Sequence, residues 1–268
     1  MSTFWEAIVL GIIQGLTEFL PVSSSGHLEI VKYIFGDAST GEQSLQMTVI
    51  LHFATACATL FVFRKEIWEL IKEGATLKAN DANRYILYIV LSMIPAALVG
   101  FFLEPVIESL FDQNLLLVGI ALLVTAVLLI FADRSKDTSK PVDAVSAFII
   151  GISQAIAIIP GISRSGATIS TSVLLHIDRE RAARFSFLMV VPLIFGKIAK
   201  DVLDGEWQSI THVTPLVAGF IAAFITGILA CLWMISLVKK ARLRYFGWYC
   251  AVIGIFCILY VNGVLFHA

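Results

Sequence analysis

Charged residues are scarce in this 268-residue sequence, at 15% of the total, whereas 58% of the residues are hydrophobic. Soluble domains usually carry roughly 25% charged residues. The mean hydropathy of +0.89 is also too high for a disordered chain. With 19 basic and 20 acidic residues the net charge is −1, so there is no basic surplus to neutralise the phosphates of a nucleic acid. The composition excludes these classes and predicts a polytopic membrane protein with no nucleic-acid partner.

Cysteine is also rare, and its spacing excludes the usual cysteine chemistry. The four cysteines lie inside apolar runs and none has C-x-x-C spacing; they are Cys57, Cys231, Cys250 and Cys257. We interpret them as small buried hydrophobic residues rather than as metal ligands or a disulfide framework.

Long apolar runs make up most of the chain. Six are long enough to cross roughly 30 Å of hydrocarbon; they are residues 45–63, 85–103, 114–132, 186–204, 213–238 and 245–266. Two further apolar segments, 4–35 and 144–177, are interrupted by PVSSSG at 21–26 and by PGISRSG at 160–166. Lipid does not tolerate the unpaired backbone groups of a broken helix, so we expect both segments to be re-entrant helical hairpins. The predicted fold is an all-α integral membrane protein with six transmembrane helices and two such hairpins.

Basic residues indicate the orientation of this topology. Fifteen of the 19 Lys and Arg residues lie in four connections that fall on one side of the membrane, namely 64–84, 133–143, 178–185 and 239–244. By the positive-inside rule that side is cytoplasmic. The first hairpin then enters from outside and the second from the cytoplasm.

The two hairpins resemble each other in sequence. Five residues of the first recur in the second at an offset of 140; the pairs are Gly11 and Gly151, Gln14 and Gln154, Ser23 and Ser163, Ser25 and Ser165, and Gly26 and Gly166. Three spans follow each hairpin, and because three is odd the halves must have opposite orientations. We predict one membrane domain over 1–268, built as an inverted repeat of 1–135 and 141–268, with a site where the hairpin tips meet. The glycine-rich spans would also allow a homodimer.

The tip residues indicate the kind of ligand. Gln14 and Glu18 are four residues apart and share one helix face, and His27 falls in the first turn of the helix that follows. In the second tip a helix begins near Ser165, with Arg164 at its start. Two helix N-termini and a guanidinium group form a suitable site for an anion, so the sequence predicts a phosphorylated ligand.

Each of these residues also has a purely structural interpretation. Glu18 could pair with Arg164 as an intramembrane ion pair alone, although ionisable residues at membrane depth are usually functional. A lone histidine such as His27 could simply make an interfacial hydrogen bond. His52 and His176 match no partner pattern, and we interpret them as packing or interface residues.

The two tip motifs resemble those of a known family. The stretch GLTEFLPVSSSGH at 15–27 and the stretch PGISRSGATIS at 160–170 are similar to the two motifs of the undecaprenyl-diphosphatases. Order, spacing and apolar frame agree over nearly the whole chain. The resemblance implies hydrolysis of undecaprenyl diphosphate, a polyprenyl lipid, to undecaprenyl phosphate and inorganic phosphate. It further implies recycling of the lipid carrier for peptidoglycan, bacitracin resistance, and a bacterial plasma membrane with the active site facing outward.

The resemblance also implies roles for single residues. Ser24, His27 and Arg164 match the family's catalytic serine, histidine and arginine. Glu18 is expected to be the fourth catalytic residue. A divalent cation, Mg²⁺ or Ca²⁺, is implied, with Glu18 as its charged ligand and Gln14 as a neutral one. Residues expected to bind the substrate are Gln14, Ser23, Ser25, Gly26, Ser163, Ser165, Gly166 and Thr168. Three chemical routes stay open: Ser24 attacks phosphorus with His27 as base, His27 attacks directly, or His27 activates water.

Three rival functions can be compared with this one. A flippase or transporter of an isoprenoid phosphate or another anion uses the same architecture, but it needs no nucleophile beside Arg164. The other large class of integral lipid phosphatases needs an upstream K-x6-R-P and a later S-R-x5-H. The sequence has no K-x6-R-P, and Ser170 occupies the position of that histidine. A nucleotide-driven pump is excluded because no G-x4-G-K-[ST] loop is present.

Overall fold

The fold is entirely helical in the part of the chain that the structure describes. A computed structural model describes residues 4–35, 41–75, 80–103, 106–107, 110, 114–136, 138–203, 213–240 and 242–263. Eleven helices are defined within these ranges: α1 Phe4–Phe19, α2 Ser24–Phe35, α3 Gly41–Val62, α4 Arg64–Gly74, α5 Asp81–Phe102, α6 Leu115–Asp133, α7 Ala144–Ile156, α8 Arg164–Leu174, α9 Arg179–Leu203, α10 Val213–Lys239 and α11 Leu243–Val261. An isolated bridge between Lys140 and Ile177 is the only β-type pairing there.

The long helices confirm an all-α integral membrane protein. Five of them are long and apolar enough to cross a membrane, namely α5, α6, α9, α10 and α11. The predicted span 45–63 corresponds to α3, which passes the same test together with α4 across a bend of 76°. Large apolar side chains such as Leu98, Val124, Leu229 and Val252 point outward, as expected of surfaces that contact lipid.

The charged connection 64–84 contains a helix that the sequence analysis does not predict. In α4, Ile67, Leu70 and Ile71 recur at helical spacing between charged residues, which makes the helix amphipathic. It packs against α5, where a side-chain atom added at Gly74 would lie 2.7 Å from Ile86. We attribute its omission to charge content: six of its eleven residues are charged.

Both interrupted segments form helical hairpins. The first consists of α1 and α2 with a break at residues 20–23, and the second consists of α7 and α8 with a break at 157–163. Each break contains one described residue with positive φ, Ser23 at 71° and Gly161 at 93°. The left-handed conformation is unfavourable for a serine, by about 1–3 kcal/mol, and occurs most often where function requires a particular backbone.

Glycine residues let the first helix of each hairpin pack closely against a span from the other half. A Cβ atom at Gly11 in α1 would lie 2.4 Å from the carbonyl oxygen of Gly219 in α10. The corresponding Gly151 in α7 has the same relation to the carbonyl oxygen of Ser92 in α5, also at 2.4 Å. These exchanged contacts are what two related halves would produce, while the inverted repeat itself stays a prediction.

The main hydrophobic core lies between the second hairpin and the spans around it. It contains large side chains that are almost fully buried; they include Leu122, Leu129, Ile150, Ile169, Phe185, Met189 and Met234. Because α6, α7, α8, α9 and α10 all contribute, this core fixes the position of the second tip relative to the first.

Candidate active site

Glu18 lies at the centre of the site, near the C-terminal end of α1. Gln14 lies one turn earlier on the same face, and its Nε2 donates a hydrogen bond of 2.9 Å to Glu18 Oε2. Glu18 is 7% exposed and Gln14 is fully buried. The predicted shared face is therefore present, with the carboxylate inside the protein rather than in lipid.

Ser24, the first residue of α2, is hydrogen-bonded to this carboxylate. The break at residues 20–23 reverses the chain so that Ser24 Oγ donates to Glu18 Oε2 over 2.6 Å. A carboxylate in this position can hold the hydroxyl hydrogen and accept it as the oxygen becomes a nucleophile.

Arg164 brings the second tip to the same carboxylate. Its guanidinium forms a charged hydrogen bond with Glu18 Oε1, and its side chain is 21% exposed. A buried carboxylate is costly unless it is paired, and this pair supplies the partner. Ser165 adds a second link between the tips, because its Oγ donates to the Leu20 carbonyl oxygen over 3.2 Å.

The two tips share one local hydrogen-bonding pattern. Ser23 Oγ accepts from the Gly26 N–H at 3.2 Å, and Ser163 Oγ accepts from the Gly166 N–H at 3.1 Å. The hydroxyl two residues later lies close to each capping oxygen, at 3.4 Å in the first tip and 3.3 Å in the second. The serines predicted to bind substrate thus cap their helices, and the Gly26 and Gly166 N–H groups already have partners.

Thr168 and Ser163 stabilise the second tip through buried hydrogen bonds. Thr168 Oγ1 donates to the Arg164 carbonyl oxygen at 2.8 Å and lies 2.5 Å from Ser186 Oγ. The Ser163 N–H donates to Thr125 Oγ1 on α6 at 3.0 Å. Both residues are almost fully buried. Their hydrogen bonds fix the backbone that carries Arg164.

His52 belongs to the site, which corrects its interpretation as a packing or interface residue. Its Nε2 lies 3.8 Å from Glu18 Oε2, and its Nδ1 donates to the Thr48 carbonyl oxygen at 2.8 Å. The sequence signal was weak because His52 lies outside both tip motifs, in the mostly apolar helix α3. His176, by contrast, is exposed at the C-terminal end of α8.

His27 lies beside the first tip, but its hydrogen bonds lead away from Ser24. Its Nδ1 donates to the Ser23 carbonyl oxygen at 2.7 Å, and its Nε2 accepts from the hydroxyl of Tyr249 at 2.7 Å. A carbonyl oxygen only accepts, which assigns the ring hydrogen to Nδ1. The structure therefore joins Ser24 to Glu18, and the role of His27 as base for Ser24 stays a prediction.

The oxygen atoms around Glu18 fit a hard cation in part. Gln14 Oε1 is buried and receives no hydrogen bond from the described residues. Its amide nitrogen is directed at Glu18, and turning the amide over would place this oxygen beside the carboxylate, as a pair of ligands that Mg²⁺ or Ca²⁺ accepts. No group of three or more His, Cys, Asp or Glu side chains that could hold a metal occurs in the described ranges. The residues present therefore fit a cation that also takes oxygen ligands from a phosphate.

Comparison with known proteins identifies the family. The family model described as bacitracin resistance protein BacA matches residues 7–256. The chain belongs to this family. A protein of Christiangramia forsetii named undecaprenyl-diphosphatase is 60% identical over 257 residues, which cover 96% of this chain and 97% of that protein. The protein of the same name from Bacteroides thetaiotaomicron is 46% identical over 261 residues, covering 95% and 97%. That from Methanococcus vannielii is 41% identical over 259 residues, covering 96% and 100%.

These matches confirm the resemblance on which the sequence analysis relied. The family model spans both tips and all eleven helices except the ends of the first and the last. The roles of the individual residues and the identity of the cation stay predictions.

Proposed function

We propose that this membrane protein hydrolyses undecaprenyl diphosphate to undecaprenyl phosphate and inorganic phosphate at the site around Glu18. The names of its relatives support this reaction. The observation that carries the proposal is that Ser24 and Arg164, from opposite tips, meet on one buried carboxylate. Ser24 as nucleophile, Glu18 as its base and the Arg164 guanidinium as the phosphate-binding group therefore lie next to each other.

In the proposed mechanism Arg164 binds the terminal phosphate. One of its nitrogens is engaged by Glu18, and the remaining N–H donors of the guanidinium can bind phosphate oxygens. Ser24 Oγ attacks the terminal phosphorus and passes its hydrogen to Glu18. The bond from phosphorus to the bridging oxygen breaks, and undecaprenyl phosphate leaves with that electron pair. Water then hydrolyses the phosphoserine, releasing inorganic phosphate and restoring Ser24.

A divalent cation would be held by Glu18 and by the orphaned amide oxygen of Gln14. When bound, it supplies positive charge that offsets the charge of the diphosphate. Direct binding is the test: Mn²⁺ is titrated into the purified protein and followed by electron paramagnetic resonance. We expect Gln14→Leu, which removes the amide oxygen, to weaken binding several-fold. Binding unchanged in that variant would exclude Gln14 as a ligand.

Phosphate release from undecaprenyl diphosphate by the purified protein in detergent tests the activity, with Mg²⁺ and then with EDTA. We expect release that needs the cation and is lost in Arg164→Met. The exposed Arg181 at the start of α9 provides the control, because Arg181→Met removes the same group outside both tip motifs. No release from well-folded protein would refute hydrolysis. Movement of labelled substrate across liposomes would then establish the rival flippase.

We further propose that the protein lies in a bacterial plasma membrane with its site opening to the outer side. The concentration of basic residues in four connections supports this orientation. In intact cells an impermeant maleimide should label Val106→Cys, whereas Lys140→Cys should react only after permeabilisation. The opposite pattern would reverse the orientation.

A further inference from the structure

Tyr249 is the least expected residue near the first tip, because it comes from α11, the last helix of the described chain. Its hydroxyl donates to His27 Nε2 over 2.7 Å. The two rings are nearly parallel, with centroids 5.6 Å apart and planes inclined by 9°. The tyrosine thus meets the edge of the imidazole, with its hydroxyl close to the plane of the ring.

Three features hold α11 in the position that this contact requires. Gly254 approaches Gly119 of α6 so closely that a Cβ atom would lie 2.7 Å from the Gly119 carbonyl oxygen. Cys250, the residue after Tyr249, directs its Sγ to the Pro21 carbonyl oxygen at 3.6 Å. Further along α11, the ring of Tyr260 contacts that of Tyr33 edge-on, with centroids 5.8 Å apart. Tyr249 therefore projects from a helix that is fixed along its length against α6 and the first hairpin.

The hydrogen bonds at the two nitrogens define one state of the His27 ring. A neutral imidazole has two tautomers, and its ring can also flip about the bond that joins it to Cβ. The Ser23 carbonyl oxygen requires the hydrogen on Nδ1, which leaves a lone pair on Nε2. Tyr249 matches that arrangement by donating to Nε2, and a flip of the ring would break both hydrogen bonds.

We propose that Tyr249 is a positioning residue that fixes the tautomer and the ring orientation of His27 beside the first tip. A water molecule that takes the place of the Tyr249 hydroxyl would meet the Nε2 lone pair directly. His27 in this state is suited to accept a hydrogen from the water that hydrolyses phosphoserine, while Glu18 serves Ser24. This role rests on the proposed function, and it gives His27 and Glu18 separate tasks.

Tyr249→Phe tests the proposal because it removes the hydroxyl and keeps the ring. We expect kcat for phosphate release to fall roughly tenfold or more, the size of loss that follows when a metal-bound histidine loses the partner that orients it. KM should change less than about twofold, since the substrate contacts on Arg164 remain. Tyr260→Phe is the matched control, with the same change on the same helix beside another ring, and it should leave both constants unchanged.

A second readout does not depend on activity. In protein labelled with ¹⁵N-histidine, the His27 signals, assigned with His27→Gln, should show a protonated Nδ1 and an accepting Nε2 in the wild type. In Tyr249→Phe they should shift towards a mixture of tautomers. Unchanged His27 signals would overturn the positioning role even if kcat falls, and unchanged kcat in an active enzyme would overturn it as well. Absence of phosphate release from the wild type would refute the proposed function instead, and the labelled histidine would still test the contact.

Discussion

The ion pair between Glu18 and Arg164 allows a structural role to be separated from a catalytic one. The side chain of Glu18 is 6% exposed and that of Arg164 is 21% exposed. Removing one partner of a buried pair usually costs 3–5 kcal/mol, because the other charge is left without compensation. Arg164 is partly accessible, and Glu18 keeps its hydrogen bonds from Gln14 and Ser24. We therefore expect Arg164→Met to lower the free energy of unfolding by about 3 kcal/mol, at the lower end of that range.

Neutralising the second partner should recover most of this loss. In the double variant Glu18→Gln with Arg164→Met no buried charge remains, so its free energy of unfolding should lie within about 1 kcal/mol of the wild type. Activity should nevertheless stay absent, because both the base and the phosphate-binding group are gone. A stable but inactive double variant would show that the pair does more than hold the tips together.

The assay is denaturant unfolding in detergent micelles, measured beside phosphate release for the two single variants and the double variant. Lys239→Met provides the control, because its ion pair with Glu180 lies at the surface. The side chain of Lys239 is 48% exposed and that of Glu180 is 31% exposed. Such a pair contributes roughly 0–1 kcal/mol. If Arg164→Met lowered the free energy of unfolding no more than this control, the stabilising role of the buried pair would be refuted. An active double variant would refute the catalytic role of the pair.

Three further predictions concern single positions. Ser24→Ala should abolish nearly all phosphate release while Mn²⁺ binding persists. Substantial remaining turnover would show that His27 or water, rather than Ser24, attacks the phosphorus. His52→Leu should reduce kcat by roughly tenfold through the environment of Glu18, whereas His176→Leu should not; equal effects in the two variants would remove His52 from the site. Gly15→Ala should destabilise the protein by about 1–3 kcal/mol, since its Cβ would lie 2.0 Å from Thr226 Oγ1. Gly100→Ala, with nothing within 4 Å, should be neutral or slightly stabilising in the same unfolding experiment, and similar values for the two variants would contradict the close helix contact.

Much of the fold could be predicted because the membrane imposes a simple rule on the sequence. Backbone groups must be paired inside the hydrocarbon, so a long apolar run has to be a helix, and a break by Pro, Ser and Gly has to be covered by protein. This reasoning correctly located the long helices and both hairpins. It missed α4, where amphipathic spacing within a charged connection, rather than length or hydropathy, indicates the helix.

The candidate site could be predicted only in part, because local motifs identify residues that are close in sequence. The face shared by Gln14 and Glu18 and the capping serines follow from spacings of three and four residues. His52 and Tyr249 carry no such mark, since each lies outside both tip motifs in a mostly apolar helix. Their significance depends on where α3 and α11 pack against the first hairpin.

The sequence by itself determined that this chain is a helical membrane protein of the bacitracin resistance protein BacA family, with two interrupted segments that carry its polar residues. Hydropathy and short-range spacing are sufficient for this, because both act within one helix at a time. Only the tertiary structure decided which groups meet: that Glu18 accepts from Ser24, that Arg164 closes the pair from the other tip, and that Tyr249 contacts His27. Contacts between residues separated by 146 and 222 positions depend on the packing of whole helices, and that packing is set by close glycine contacts and core volume rather than by any local pattern.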